Sequence, residues 1–178
     1  MNTKHVALAI AAALTISSAA QAQDIHFGFN VGRSMPQSDA KDLDGGYTAG
    51  FWVPFEFNGG HTIRPRLDYT SNKGNLFIFS TTVTTTHLGV DYLYNINGKA
   101  GEGFYLLAGL GYAKTQVSVD SFFGSGSGDK SAFAFGAGLG YEFTPMFGIE
   151  LRYASTHPGS GDNIFKNDYV NVSATFRF

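Results

Sequence analysis

The last ten residues constrain this chain most. From Tyr169 to Phe178 the sequence alternates without a break. Val170, Val172, Ala174, Phe176 and Phe178 fall on one face; Tyr169, Asn171, Ser173, Thr175 and Arg177 fall on the other. A period of two marks a β-strand with one apolar and one polar side. At the edge of a soluble sheet such a stripe invites aggregation. In a closed barrel that crosses a membrane, each edge has a partner and lipid covers the apolar face. The segment is therefore expected to be the strand that closes a transmembrane barrel.

The other end agrees. Met1 to Ala22 carries Lys4 and His5, an apolar run from Val6 to Ile16, and the small-residue motif Ala20-Gln21-Ala22. That is the pattern of a secretory signal peptide, with the mature chain, residues 23–178, forming one barrel domain. The apolar run is too short for a permanent membrane helix, and no later segment has the length for one. The chain holds 17 Phe, 9 Tyr and 23 Gly with only 15% charged residues, a mixture suited to short alternating membrane strands. It has no Cys, which excludes disulfides and thiolate metal sites. A net charge of −2 gives no footprint for nucleic acid.

Eight alternating segments stand out. They are Asp24 to Arg33, Gly46 to Phe57, His61 to Thr70, a fourth ending in Leu88 to Tyr94, Phe104 to Thr115, Ala132 to Phe143, Phe147 to Thr156 and the terminal strand. The fold class is all-β, an eight-stranded antiparallel up-and-down transmembrane β-barrel. Short turns are expected at Asn58-Gly59-Gly60, Asn95 to Gly103 and Thr144-Pro145-Met146. Longer polar loops are expected at Ser34 to Gly45, Ser71 to about Thr82, Val117 to Lys130 and His157 to Asn167. Short turns would face the periplasm and long loops the outside. Pro54 and Pro65 each remove a ladder donor and call for a bulge or a frayed end. The run Thr81 to Thr86 has no clear phase.

The apolar face is nearly all Phe, Tyr, Leu, Val and Ile, whereas the opposite face collects glycines and charges. That is inverted relative to a soluble barrel. Eight strands enclose an interior only wide enough for its own side chains. The inward set includes Glu56, Asp68, Asp91, Glu142 and Glu150 against Arg64, Arg66, Arg152 and Arg177. Buried charges must be paired to be tolerated, so a salt-bridged core without an open pore is expected. The phase places Glu150 near Arg152 and Arg177, and lets Glu56 face Arg64 across the first turn.

Phe104-Tyr105-Leu106-Leu107-Ala108-Gly109-Leu110-Gly111-Tyr112-Ala113 is similar to the mid-barrel strand of small outer-membrane proteins. So are Gly136 to Phe143 and Gly148 to Tyr153. With Phe176-Arg177-Phe178, the chain from residue 23 onward resembles the OmpA/OmpX-like outer-membrane β-barrel superfamily. The resemblance implies residence in the cell outer membrane, contact with its lipid and with lipopolysaccharide, and recognition by the barrel assembly machinery. That assembly signal would fall on Val170, Val172, Ala174, Phe176 and Phe178. A barrel without the peptidoglycan-binding domain of full-length OmpA is expected.

Three other features carry chemically suggestive residue types. Ser155-Thr156-His157, with Asp162 nearby, has the residue types of a nucleophile, a base and an orienting acid. Lipid A deacylases carry a Ser-His pair, but with the His before the Ser. Asp39, Asp42 and Asp44 suit a hard cation, yet their spacing is not that of an EF-hand. Phe122-Phe123 is an apolar tip in a Gly/Ser-rich loop. The expectation is a monomeric barrel of structural or surface-interaction type that meets a surface ligand through its long loops. No catalytic, metal or cofactor site is assigned. The alternatives are a lipid-modifying outer-membrane enzyme and a narrow, low-conductance channel.

Overall fold

The computed structural model describes residues 26–76, 79–121, 124–157 and 166–178. The segment Met1 to Ala22, the Phe122-Phe123 tip and Asp162 lie outside them. The strands are β1 (Gly28–Ser38), β2 (Asp44–Trp52), β3 (Phe55–Phe57), β4 (His61–Leu76), β5 (Phe79–Asn95), β6 (Gly103–Ser121), β7 (Gly124–Thr144), β8 (Phe147–Thr156) and β9 (Asn167–Arg177). Each pairs antiparallel with its neighbours, β9 pairs with β1, and β2 pairs with β4, which closes the sheet on itself. β2 and β3 both lie along β4 and count as one barrel strand interrupted at Val53-Pro54. The result is a closed eight-stranded antiparallel barrel.

The interruption explains how two prolines are tolerated. Trp52 pairs with Arg66 and Phe55 with Ile63, so Pro65 lies opposite the break. There its carbonyl accepts from the Val53 N–H at 3.1 Å. Pro54 removes a donor where no ladder runs, and Pro65 remains within β4 opposite Val90.

Faces follow the alternation. Phe133 is 86% exposed and Leu110 73%, whereas Asp91 is wholly buried and Arg64 3% exposed. For a barrel in lipid, the exposed set is the membrane face. Aromatic side chains crowd its lower rim: Phe29 stacks on Phe176 at 4.9 Å, Phe143 on Phe147 at 5.7 Å, and Phe104 meets Tyr141 edge-on at 4.6 Å. Such girdles mark the water interface of outer-membrane barrels.

Strand lengths correct the sequence reading. Two expected long loops, Ser71 to Thr82 and Val117 to Lys130, are ladder. β4 continues to pair with β5 through Leu76↔Phe79, and β6 with β7 through Ser121↔Gly124. The Ser34 to Gly45 loop shrinks because β1 runs on to Ser38. Hydrophobic alternation ends where both faces meet water, so the sequence loses its phase while the backbone keeps its hydrogen bonds. Thr81 to Thr86 lies in this zone, with Val83 and Thr85 buried and Thr86 exposed.

Candidate functional site

The lumen is filled by a belt of charge. β4 contributes Arg64, Arg66 and Asp68, β5 contributes His87 and Asp91, and β8 contributes Glu150 and Arg152. In a strand every second residue faces inward, so three positions of β4 and two each of β5 and β8 reach one cross-section. Asp91 Oδ2 is the hub: it accepts from Arg64 Nη2 at 3.0 Å, Arg66 Nη1 at 2.8 Å and Arg152 Nη1 at 2.5 Å. Glu150 accepts from Arg64 Nη2 at 2.6 Å, Arg66 Nη1 at 3.2 Å and the Tyr105 hydroxyl at 3.0 Å. Arg66 also clasps Asp68 with two parallel bonds, Nε to Oδ2 at 2.5 Å and Nη2 to Oδ1 at 2.6 Å. Such a bidentate fork fixes the guanidinium plane against the carboxylate. His87 Nδ1 lies 3.5 Å from Asp68 Oδ2. Three guanidinium groups and three carboxylates thus interlock, all of them buried.

Glycines make the room. A Cβ at Gly109 would overlap Asp91 Oδ1, and one at Gly136 would stand 2.8 Å from Arg152 Nη2. A Cβ at Gly140 would overlap the Tyr105 ring, which lies across the lumen at that level. The inward glycines of β6 and β7 are therefore the complement of the large side chains opposite them.

Below the belt, Arg177 Nη1 donates to Glu56 Oε1 at 2.5 Å, and Glu142 accepts from Asn95 Nδ2 at 3.0 Å. Trp52 is buried, with Arg64 Cζ 5.2 Å from its ring centroid, a cation–π contact. Above the belt the lumen is neutral. Asn167 Nδ2 is 2.9 Å from Thr85 Oγ1 and 3.3 Å from Thr115 Oγ1, and Thr48 and Thr70 hydroxyls bond at 3.1 Å. The β1–β2 connection folds inward over this end, burying Ala40 and laying Leu43 where a Cβ at Gly74 would be only 2.7 Å away.

Two expected pairings do not form. Arg177 meets Glu56, not Glu150, because it sits at the lower end of β9, just one strand, β1, away from the barrel strand that carries Glu56. Arg64 meets Glu150 and Asp91 across the lumen, not Glu56 across the turn. Tyr105, Trp52 and His87 belong to the network without having been singled out in the sequence. All three were in the inward phase, and phase was the signal that could have found them. Of the terminal strand, Val172 and Phe178 are exposed, and Phe178 stacks on Phe27 at 5.7 Å.

The structure brings Ser155 and His157 together, with Asp168 as the acid. Ser155 Oγ lies 3.2 Å from His157 Nε2, and Asp168 Oδ1 lies 3.3 Å from the same nitrogen. Ser155 Oγ donates directly to Asp168 at 2.5 Å, and Ser38 Oγ bonds the other carboxylate oxygen. In a proton relay the serine and the acid meet opposite ring nitrogens. Here they share one, and the serine proton is already given to the carboxylate. The cluster ties the β1 end to the β8–β9 rim. Asp39 accepts the Lys166 N–H at 2.8 Å, Asp44 pairs in register with Lys73, and no metal-holding group of His, Cys, Asp or Glu occurs among the described residues.

The family model for the outer membrane protein beta-barrel domain matches residues 8–178. Similar solved structures share the fold. The attachment invasion locus protein Ail of Yersinia pestis, in complex with the heparin analogue sucrose octasulfate, is 22% identical with a TM-score of 0.61, covering 88% of this chain and 100% of that one. Neisserial surface protein A is 15% identical with a TM-score of 0.58, covering 89% and 98%. The N-terminal β-barrel domain of Pseudomonas aeruginosa OprF is 17% identical with a TM-score of 0.56, covering 89% and 100%. No curated protein matches the chain.

Proposed function

The chain belongs to the outer membrane protein beta-barrel family, and from that premise we propose that it is a sealed surface barrel, built for anchorage and display rather than for transport. It resides in the outer membrane. Met1 to Ala22 serves as its export signal, and the β9 face of Val170, Val172, Ala174, Phe176 and Phe178 as the signal read during assembly.

The observation that carries the reading is the Asp91 hub. One carboxylate oxygen takes three guanidinium groups from two other strands. Opening a path would leave several buried charges without partners, at a cost of several kcal/mol each. Display follows from the strand lengths. β8 ends at Thr156, opposite Ala134, yet β7 runs ten residues further from Ala134 back to Gly124 in register with β6. Together β4, β5, β6 and β7 raise a sheet above the membrane. The β7 edge beyond Ala134, which β8 does not cover, is what it offers to a partner. An extended polypeptide adding to that edge would gain main-chain hydrogen bonds with little demand on sequence.

Two measurements test this. Planar bilayers should show no steady conductance for the wild type; a stable open channel would sink the sealed reading in favour of the narrow pore. Replacing Val117 to Gly128 by Asn-Gly joins Gln116 to Asp129, which already pair. The shortened barrel should insert normally and lose adhesion of cells to an immobilised unfolded polypeptide. Unchanged adhesion would remove the display role.

A further inference from the structure

The lipid-facing wall is not uniform. Two adjoining depressions of about 420 and 550 Å³ lie on its outside, and they share Tyr92 and Ala108. They exist because Ala108 puts a single methyl between Leu106 and Leu110, both strongly exposed, while its register partners are Tyr92 on β5 and Ala137 on β7. The lower depression reaches His61 and Tyr94 at the periplasmic rim, and the upper one reaches Val90 and Phe135. From Tyr94 to Val90 is four residues of strand, roughly 13 Å at ~3.3 Å per residue. With strands tilted ~35–45°, that rises about 10 Å along the membrane normal, less than half of the ~25 Å apolar band of such barrels. The groove therefore lies within one leaflet, the one on the turn side.

Its lower mouth is polar. His61 is the first residue of β4, and its Nδ1 lies 2.6 Å from the Tyr92 hydroxyl, while its ring stacks on Tyr94 at 5.1 Å. The Tyr92 hydroxyl occupies Nδ1, which leaves Nε2 as the ring nitrogen available to a ligand. Beside that nitrogen is Gly59, at φ +83, where a Cβ would stand 3.5 Å from Nε2. The glycine leaves the nitrogen open. An open imidazole nitrogen thus borders the mouth of an apolar groove continuous with the membrane face of the barrel.

We propose that this groove is a binding site for one phospholipid of the periplasmic leaflet, with an acyl chain along Ala108 and the headgroup phosphate at His61. Lipopolysaccharide of the opposite leaflet is excluded, since the groove ends near mid-membrane. The site is separate from the lumen and from the protruding sheet, so its fate is independent of the sealed-barrel reading.

The test uses purified full-length barrel in mild detergent, titrated with palmitoyl-oleoyl phosphatidylethanolamine and read by native mass spectrometry. Wild type should retain one lipid. Ala108→Phe fills the groove and should weaken retention roughly tenfold, about 1.4 kcal/mol. Ala49→Phe, at an outward alanine on β2 far from the groove, should leave it unchanged. His61→Ala should weaken the phospholipid and not a diacylglycerol with the same chains. Heat-modifiable gel mobility confirms that each variant is folded. Equal retention by Ala108→Phe, Ala49→Phe and wild type would overturn the site. Equal loss of phospholipid and diacylglycerol in His61→Ala would overturn the phosphate contact.

Discussion

At the scale of single residues, Asp91 matters most. Its Oδ2 neutralises parts of three cations, so Asp91→Asn should destabilise more than loss of any one arginine. The cost of breaking a buried pair is typically ~3–5 kcal/mol, readable from urea unfolding in lipid vesicles. A double-mutant cycle of Arg64→Ala with Glu150→Ala should show coupling, because the pair stands at 2.6 Å. The same cycle for Glu150→Ala with Arg177→Ala should be additive, since Arg177 is engaged by Glu56. Coupling in the second cycle and none in the first would mean that the pairings are misassigned. The residue scale also shows what could be read in advance. Which side chains face inward was legible, because alternation is local. Which of them pair was not. Arg64 and Glu150 are 86 positions apart and meet across the lumen, so only the stagger of the closed sheet decides their contact. Tyr105 was in phase but hidden, because the space it fills is created by Gly140 on another strand.

At the scale of strands, the membrane band and the raised sheet obey different rules. Inside the band, Arg at Leu110, Leu139 or Leu151 should cost up to ~2–4 kcal/mol, falling toward the interfaces. Arg at Ser127, on the raised hairpin, should cost almost nothing. Equal damage at Leu110 and Ser127 in a folding titration would contradict the face assignment. The closing strand has its own demand. Phe178 exchanges two backbone hydrogen bonds with Phe27, at 2.8 and 3.1 Å, and stacks on Phe29 as well. Phe178→Asp should slow insertion and leave unfolded protein to periplasmic proteases. Normal amounts of heat-modifiable barrel in the membrane fraction would count against that. Strand ends were the least legible part of the sequence. Gly124 to Ser131 is exposed on both faces, so nothing in its side chains records that it is a strand.

At the scale of the whole molecule, the interior has three storeys. A half-buried ion pair closes the bottom, an interlocked charge belt fills the middle, and neutral amides and hydroxyls fill the top beneath Ala40 and Leu43. The only tryptophan of the chain lies between the lower two, inside the wall rather than in the aromatic girdle where such rings usually sit. Trp52 on β2 occupies the space that Gly28 of β1 leaves free, and it carries Arg64 on its face. Its emission is thus a spectroscopic witness to barrel closure. Unfolded chain adsorbed on a bilayer should glow red-shifted and be dimmed by brominated lipid, whereas the finished barrel should shine blue-shifted and stay dark to that quencher. A stopped-flow trace would then time the moment when the first strand meets the second, separately from the moment when either enters the membrane.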